Sequence, residues 1–485
     1  MTRVTKDIVD LYCDSDATAL SGHIASGAIS ASEAVEAAIS VIESFDRRLN
    51  AVVIRSFAEA RDSAARGADK GHFSGVPFLL KNIGSMCRGM PLTAGYGYLG
   101  DFVCDYDSEM VSRIKRAGFV IIGRSNVPEG GWSLGTEPRH YGPTLNPWNP
   151  AVTPGGSSGG AAAAVAARMT PMAEASDGAG SIRAPASCCG LVGLKPSRGR
   201  ITYGPADVDL WFGSISTFCV SRTIRDSAAF LDVTAGGLSG DPYTIQQPDR
   251  TWLSLLDNRP RKLRIGFDLD APWGAALAPE VKQAVVSTAT LLRELGHRVE
   301  PYSLKTDIEA AWWTYNDICA TEMAAEFDRL APVVGRPVEQ SDLAPFNWSQ
   351  LQYGRTLSAV QYAHSITAVR KAGQQICQEL DGFDVFLSPT LTQPARPLGY
   401  WSMEEGDRGR YLSLWQDGAF LFAFNIAGLP AMSVPAIQGT NGVPIGVQIV
   451  ARYGDEATLL QIGRELEQTR QWNKRPSAFV DTPFF

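Results

Sequence analysis

Two clusters of glycine and serine carry residue types that could perform hydrolytic chemistry. Residues 154–160 read Pro-Gly-Gly-Ser-Ser-Gly-Gly, residues 176–183 read Ser-Asp-Gly-Ala-Gly-Ser-Ile-Arg, and the helix-prone segment 161–168 lies between them. Because glycine tolerates positive φ and lets the backbone approach a ligand closely, such clusters can present main-chain N–H groups to a bound molecule. A serine placed there becomes a useful nucleophile only if a neighbouring base accepts its proton.

Two familiar interpretations of these clusters fit poorly. A phosphate loop of the form G-x-x-x-x-G-K-[ST] is absent, because no lysine follows either cluster at the required place. Gly155–Gly159 matches the G-x-S-x-G nucleophile elbow, but that elbow needs a preceding strand and Asn149–Pro154 contains two prolines. The later histidines, His297 and His364, lie in or beside helical patterns, which favours packed or solvated side chains over a catalytic base.

Lys81 is an alternative base. It ends the apolar run Val76–Leu80, which is typical of a buried strand. A lysine desolvated among apolar neighbours loses its charge and can then accept a proton from serine. A lysine at a strand end is usually solvated, so this interpretation depends on the two glycine-serine clusters lying beside it.

The elements that must position these residues alternate between strand-like and helical segments. The capping box of Ser30 and Glu33 predicts the start of a helix. Strand-like runs are predicted at 51–54, 76–80, 119–122, 263–267, 385–387, 432–434 and 446–450. Helical patterns are predicted at 109–117, 279–295, 308–330, 357–380 and 456–466. The alternation predicts an α/β fold with a mostly parallel or mixed β-sheet covered by helices on both faces.

The overall composition narrows the class of protein. Hydrophobic residues make up 45% and charged residues 20%, and the net charge of −7 with a pI near 5.4 disfavours a nucleic-acid partner. The N-terminal residues 1–16 lack the apolar run of a signal peptide, and no run of about 18 apolar residues predicts a membrane span. The eight cysteines show no metal-ligand spacing. We therefore predict a reducing, cytoplasmic setting, with no membrane partner, metal or cofactor.

Length alone, 485 residues, suggests about three domains. The only candidate linker is Gly236–Lys262, yet it contains an apolar set, Trp252, Leu253, Leu255 and Leu256. Such a set favours an excursion packed on a common core over a free tether. We predict a single domain over residues 1–485, with an N-terminal helical part at about 1–60, core motifs at about 75–200 and a variable substrate-side region at about 236–420.

Taken together, Lys81, the Gly-Gly-Ser-Ser-Gly-Gly cluster and the Gly-Ser-Ile-Arg-Ala-Pro sequence resemble the amidase signature family of Ser-Ser-Lys hydrolases. Ser157 and Ser181 stand 181 − 157 = 24 positions apart, as in that family. The resemblance extends over most of the chain, through the segments 123–126, 146–149, 189–196, 425–430 and 443–448. It implies one large α/β/α domain with a mixed sheet, in place of the three domains suggested by length.

The resemblance also implies roles for particular residues. Ser181 is the implied nucleophile, which forms an acyl-enzyme, and Ser157, preceded by a cis peptide bond, relays the proton to Lys81. The backbone N–H groups of an implied oxyanion hole belong to Gly178, Ala179, Gly180 and Ser181. The implied supporting residues are Asp177, Ser158 and Arg183, with the opposite charges of Asp177 and Arg183 forming a positioning ion pair.

Two positions depart from the family pattern. Asn82 follows the lysine where the family often has aspartate, so a carboxylate beside Lys81 is expected to be missing and the tuning of its pKa is in question. Ala179 stands where the family often has glycine. An alanine fits there if its φ stays negative. Neither change predicts an inactive protein.

The sequence indicates the reaction more clearly than it indicates the substrate. Residues 177–181, 315–319 and 334–337 most resemble the 6-aminohexanoate cyclic dimer hydrolases, the nylon-oligomer subgroup of the family. Candidate pocket residues are Trp132 and Cys319, with Trp313, Phe422 and Phe424 in neighbouring segments. An aromatic wall suits an apolar or aryl acyl group.

We therefore predict an amidase that hydrolyses a carboxamide to carboxylate and amine. Its predicted substrates are aminohexanoate oligomers or related linear and cyclic amides, and its predicted assembly is a homodimer. An aryl acylamidase, a carbamate (urethane) or ester hydrolase and a glutaminase subunit of a tRNA amidotransferase remain alternatives. A catalytically silent scaffold also remains, although the intact Lys81, Ser157 and Ser181 argue against it.

Overall fold

The computed structural model describes residues 4–67, 70–472 and 474–476. Both ends of the predicted domain, residues 1–3 and 477–485, lie outside these residues. The described strands form one sheet and are β1 (Val52–Arg55), β2 (Pro77–Lys81), β3 (Val120–Ser125), β4 (Met172–Asp177), β5 (Val192–Lys195), β6 (Ser216–Ser221), β7 (Arg264–Phe267), β8 (Arg298–Pro301), β9 (Val385–Pro389), β10 (Ala431–Gln438) and β11 (Pro444–Ala451).

The sheet is mixed, as the sequence predicts. The strand order is β1-β3-β2-β4-β6-β5-β10-β11-β9-β7-β8. Strands β3, β2 and β4 run parallel at one end of the sheet and β9, β7 and β8 run parallel at the other, while the central strands pair antiparallel. Each predicted strand-like run coincides with one of these strands.

Before, between and after these strands the described chain forms α-helices. They are α1 (Lys6–Asp14), α2 (Ala17–Ala25), α3 (Ala31–Leu49), α4 (Phe57–Arg66), α5 (Glu109–Arg116), α6 (Gly159–Ala166), α7 (Arg183–Cys189), α8 (Ile224–Thr234), α9 (Trp252–Leu255), α10 (Pro279–Glu294), α11 (Ile308–Val334), α12 (Pro345–Thr356), α13 (Ala359–Leu380), α14 (Arg408–Ser413), α15 (Ala423–Ile426) and α16 (Glu456–Arg470). The capping box predicted at Ser30 and Glu33 is present at the start of α3.

The two faces of the sheet are covered by different helices. On β9, Val385 and Leu387 join the apolar cluster that includes residues of α1, α3, α8, α10 and α16. Phe386, between them, joins the cluster that includes residues of α11, α12 and α13. Because successive strand residues point to opposite faces, this alternation places a helical layer on each side of the sheet. The predicted α/β/α architecture is therefore confirmed.

The segment Gly236–Lys262 packs on the first of these clusters. Trp252 is buried, and Leu253, Leu255 and Leu256 are partly buried against the same cluster. The Asp232 side chain accepts hydrogen bonds from the backbone N–H groups of Trp252 and Leu253 at the start of α9. No helix in the described part of the chain combines the length and the apolar character needed to cross a lipid bilayer.

The sequence patterns missed strands β4, β5, β6 and β8. Strands β4 and β6 contain small or polar residues in place of an apolar alternation, as in Ser-Thr-Phe-Cys-Val-Ser for β6, and β5 is only four residues long. In β8 two of the four residues are charged. These strands form because their neighbours in the sheet satisfy their backbone groups, a condition that no local window of sequence reveals.

Candidate active site

Lys81 is the last residue of β2 and is fully buried. All five residues of this strand are buried, and the side chain of Lys81 ends between two serines. Its Nζ lies 2.8 Å from Ser157 Oγ and 2.9 Å from Ser176 Oγ. Burial lowers the pKa of Lys81 to about 7, against the opposing fields of Glu174 and Asp177. A large part of the Lys81 population is therefore neutral near pH 7 and able to accept a proton.

Ser157 lies in an irregular segment that leads into α6. The Gly156–Ser157 peptide bond is cis, as the family resemblance implies. Residues 149–156, all of which the structure describes, form no strand of the sheet, and Val152 makes an isolated bridge to Pro397. This context lacks the strand that a nucleophile elbow requires.

The two histidines considered as alternative bases have other surroundings. The ring of His297 is buried, with Nδ1 accepting from the Leu263 N–H and Nε2 within 3.0 Å of Glu465. His364 is exposed on α13. Neither histidine is among the described residues that line the cavity around Ser157.

Ser181 lies in the glycine loop 178–182, between β4 and α7. Its side chain lines the same cavity as Lys81 and Ser157. The Ser158 N–H donates to the Ser181 carbonyl at 3.3 Å, which joins the two glycine-serine clusters through their backbones. Within the described chain, no direct hydrogen bond links the hydroxyls of Ser157 and Ser181. In ligand-free enzymes catalytic contacts are often long and tighten when substrate binds.

The predicted oxyanion hole needs one correction. The Gly180 N–H donates to Asp177 Oδ1 at 2.6 Å, so it is not available to a substrate oxygen. The N–H groups of Gly178, Ala179 and Ser181 have no acceptor among the described residues. Ala179 keeps a negative φ, whereas Gly180 has a φ of 122°. The alanine is therefore accommodated without backbone strain.

Asp177 and Arg183 form the ion pair that the sequence predicts, with neither side chain exposed. Arg183 Nε and Nη2 donate to the two carboxylate oxygens at 2.8 and 2.9 Å. The Asn425 amide donates to Asp177 Oδ1, and its own oxygen accepts from Arg183 Nη2. Burial acts to raise the pKa of Asp177, but the charge and hydrogen bonds of Arg183 hold this pKa well below its usual range. The pair thereby fixes the loop that carries Ser181.

A cavity of about 300 Å³ opens beside these residues. Trp132 and Cys319, the two predicted pocket residues, line it. Trp132 packs against Trp211, with ring centroids 4.7 Å apart, so two indoles form one wall. The other lining aromatic residues are Tyr203, Trp312, Tyr315, Phe102, Phe346 and Trp415.

Three neighbouring aromatic residues of the sequence analysis do not line the cavity. Trp312, rather than Trp313, faces it, because one residue along a helix turns a side chain by about 100°. Phe422 packs behind the wall, against Trp312 and Tyr315. Phe424 packs against Phe386 in the interior.

The sequence analysis overlooked two residues that contact Lys81. Ser176 begins the second glycine-serine cluster, and its hydroxyl contacts the amine of Lys81. Glu174 accepts a hydrogen bond from the Lys81 N–H at 2.9 Å. The expectation that Asn82 leaves Lys81 without a nearby carboxylate is therefore wrong, because Glu174 provides one from β4. The available signal was a single charged residue within the apolar run Met172–Ala175.

The mixed sheet, the cavity and the buried lysine beside serine form an arrangement suited to hydrolysis through a serine nucleophile. The chain belongs to the amidase signature family, since the family model described as Amidase matches residues 33–460.

Three comparisons place the chain within this family. It is 36% identical over 480 residues to a 6-aminohexanoate-cyclic-dimer hydrolase of Pseudomonas sp. (strain NK87), covering 96% of this chain and 97% of that protein. A structure of 6-aminohexanoate cyclic dimer hydrolase complexed with substrate matches with a TM-score of 0.93 and 34% identity, covering 97% of this chain and 100% of that one. A bacterial aryl acylamidase matches with a TM-score of 0.87 and 25% identity, covering 97% and 99%.

Proposed function

We propose that this chain is an amidase that cleaves a carboxamide to carboxylate and amine through an acyl-enzyme on Ser181. The observation that carries the proposal is the buried Lys81 amine, 2.8 Å from the Ser157 hydroxyl, in a cavity that Ser181 also lines. A neutral lysine in this place can take up a proton that a serine hydroxyl releases.

In the acylation step, Ser181 Oγ attacks the amide carbonyl carbon. Its proton passes to Ser157 Oγ while the Ser157 proton passes to Lys81 Nζ. The N–H groups of Gly178, Ala179 and Ser181 face the developing oxyanion. One donor of this kind is typically worth about 3 kcal/mol in the transition state.

Collapse of the tetrahedral intermediate breaks the C–N bond. The leaving nitrogen takes a proton from the Ser157 hydroxyl, and the protonated Lys81 amine donates a proton back to Ser157. The amine then departs. Water then attacks the acyl-enzyme, and the water proton passes through Ser157 to Lys81. As the C–O bond to Ser181 breaks, a proton returns from Lys81 through Ser157 to Ser181 Oγ. The released carboxylic acid loses its proton to solvent and becomes the carboxylate, so the enzyme ends the cycle unchanged.

The proposed substrates are aminohexanoate oligomers or related linear and cyclic amides. Similarity over nearly the whole chain to a 6-aminohexanoate-cyclic-dimer hydrolase supports this choice. The second candidate is an aryl acylamidase, which the indole wall of Trp132 and Trp211 favours. Carbamates, esters and glutamine are further substrates for the same acyl-enzyme chemistry.

A mass-spectrometric product screen tests the proposal. The substrates are aminohexanoate cyclic and linear dimers, anilides, aliphatic amides, carbamates, esters and glutamine, and the Ser181→Ala variant provides the blank. Cleavage of aminohexanoate dimers above the blank supports the first candidate, and turnover confined to anilides supports the second. Turnover of any substrate that survives in Ser181→Ala would contradict the acyl-enzyme mechanism.

We also propose that the chain is organised as a single domain. One sheet contains strands from β1 to β11, and the segment Gly236–Lys262 packs on the shared apolar cluster instead of separating two units. A single cooperative unfolding transition, followed by both fluorescence and circular dichroism, is the expected result.

A further inference from the structure

Strands β2 and β4 separate where the candidate base is held. In the described chain, the register of β2 with β4 pairs Leu79 with Ala173, two residues before the end of β2, and gives Lys81 no register partner on β4. The side chain of Glu174 fills the gap, with Oε2 accepting from the Lys81 N–H at 2.9 Å. The Glu174 carboxylate thus accepts the hydrogen bond that a backbone carbonyl would accept in a regular ladder.

Arg124 of β3 holds the carbonyl of the same residue. Its Nη1 donates to the carbonyls of Lys81 and Ser85, each at 2.9 Å, and its side chain is fully buried. The Ser85 hydroxyl in turn donates to Glu174 Oε1. Both backbone groups of Lys81 are therefore held by buried charged side chains, and the same side chains hold the cavity wall at Ser85.

The side chain of Glu174 is almost completely buried, and this burial raises the pKa of its carboxyl group. It is 1% exposed, and both of its carboxylate oxygens accept hydrogen bonds within this cluster. Burying a carboxylate is costly unless it is well paired. Glu174 nevertheless lies on β4 three residues before Asp177, so the strand that carries the glycine loop also contacts the end of β2.

We infer that Glu174 is a positioning residue for Lys81: its carboxylate fixes the end of β2 so that the amine meets Ser157 and Ser176 together. The inference rests on the proposed function, because it gives Glu174 a role through the proposed base. Glu174 itself does not touch the reacting atoms.

Two conservative variants distinguish the effect of the length of the Glu174 side chain from the effect of its charge. Glu174→Asp keeps the charge but shortens the side chain, so the carboxylate no longer reaches the Lys81 N–H. Glu174→Gln keeps the length and an acceptor oxygen but removes the charge. We expect the aspartate variant to lose kcat by about 10- to 100-fold with KM within about twofold, since a displacement of 1 Å at a catalytic group can cost 100-fold. We expect the glutamine variant to retain kcat within about threefold.

Glu456→Asp is the matched control. Glu456 is also a fully buried glutamate that accepts a backbone N–H, from Ser197 at 2.8 Å, and it pairs with Arg200 away from the cavity. Shortening the Glu456 side chain should lower the melting temperature of the protein and leave kcat unchanged. All rates are expressed per site titrated by a serine-reactive phosphonate, so that a loss of folded protein does not count as a loss of rate.

The outcomes distinguish the inference from the proposed function. Wild-type kcat in Glu174→Asp, or a Glu174→Gln variant as slow as Glu174→Asp, would overturn the inference. A folded Lys81→Met variant provides the second arm of the experiment. If it keeps wild-type turnover, the proposed function itself fails; if it is inactive while Glu174→Asp is fully active, only the inference about Glu174 fails.

Discussion

The Tyr315 hydroxyl donates a hydrogen bond to the carbonyl of Gly178 at 2.7 Å. Tyr315 lies on α11, in the region predicted to vary with substrate, whereas Gly178 begins the loop that carries Ser181. The same hydroxyl lies 2.9 Å from Ser214 Oγ. The helix that forms one wall of the cavity therefore also holds the orientation of the peptide group whose N–H belongs to Ala179.

Loss of this contact should slow the reaction without weakening substrate binding. In Tyr315→Phe the ring still packs against Trp312 and Phe422, but the Gly178 carbonyl loses its donor. A net hydrogen bond is worth about 1 kcal/mol, so we expect kcat to fall roughly fivefold with KM unchanged. Tyr353→Phe is the control, because its hydroxyl bonds Asp317 outside the cavity lining. Equal effects of the two changes would contradict the role of Tyr315.

The pH dependence of kcat/KM should show an acid limb near neutrality. The proposed base must be neutral to accept a proton, and burial lowers the pKa of Lys81 to about 7. Below that value the rate should fall about tenfold per pH unit, because the neutral fraction falls in that proportion. Measurement of kcat/KM on a stable amide across this range checks the prediction; a profile that is flat through pH 7 would contradict it.

Lys195 provides a control for that assignment. Burial also lowers its pKa to about 7, but its amine donates to the Pro196 carbonyl and it is not among the described cavity residues. The acid limb should therefore stay in place in Lys195→Met.

Covalent labelling should separate the roles of the three serines. Ser181→Ala should lose all labelling by an aryl phosphonate, because the nucleophile is absent. Ser157→Ala should be labelled slowly at Ser181, since the proton relay to Lys81 is broken. Ser158→Ala tests a serine whose hydroxyl hydrogen-bonds the backbone of Ser176, and it should be labelled at a rate closer to wild type. Peptide mapping checks the site, and a label on Ser157 in Ser181→Ala would restore the nucleophile-elbow interpretation.

Gly180 should not tolerate even a methyl group. Its φ is 122°, and a Cβ there would lie 2.4 Å from Leu421 Cδ1. We expect Gly180→Ala to displace the loop of Ser181 and to lower kcat on the order of 100-fold. Gly22→Ala, on α2, is the comparison: nothing lies within 4 Å of its added Cβ, so it should stabilise the protein by about 0.5–1 kcal/mol. Activity of Gly180→Ala near wild type would show that the loop is more adaptable than its packing indicates.

Removal of Arg183 should destabilise the protein strongly. Arg183→Met leaves Asp177 charged, buried and short of its main partner, and breaking such a pair costs about 3–5 kcal/mol. The half-buried pair of Arg61 and Glu36 is the control, and Arg61→Met should cost less than about 1 kcal/mol. Urea unfolding at neutral pH measures both values.

The same pair sets a pH dependence of stability. Because the pKa of Asp177 is held well below its usual range, the stabilisation is present above the ordinary aspartate pKa of about 4 and is lost only as the pH falls below it. In Arg183→Met, burial without the Arg183 partner raises the pKa of Asp177. The difference in unfolding free energy between wild type and this variant should therefore narrow as the pH falls below that raised pKa, because the variant then relieves its unpaired charge by protonation, whereas the wild type loses this stabilisation only in acid. A difference that stays constant down to the ordinary aspartate pKa of about 4 would contradict this assignment.

The sequence by itself determined the family, the α/β class and the residues proposed for chemistry. Glycine-rich clusters at fixed spacing, and a lysine that ends an apolar run, are local signals that need no knowledge of packing. The same local signals located the strands with apolar runs, including β2 and β9. They also identified Asp177 and Arg183 as an ion pair, because opposite charges flank the nucleophile in one short loop.

Only the tertiary structure decided which groups meet across the sheet. It assigned the Gly180 N–H to Asp177, turned Trp312 rather than Trp313 toward the cavity, and brought Glu174 of β4 to the backbone of Lys81. Glu174 and Lys81 are far apart in the chain, the choice of Trp312 depends on where a helix turns, and the Gly180 contact depends on the conformation of its loop. Lys81 is likewise buried by neighbours from many segments of the chain, and this burial lowers its pKa. Local sequence specifies the elements, whereas contacts and desolvation depend on how those elements pack together.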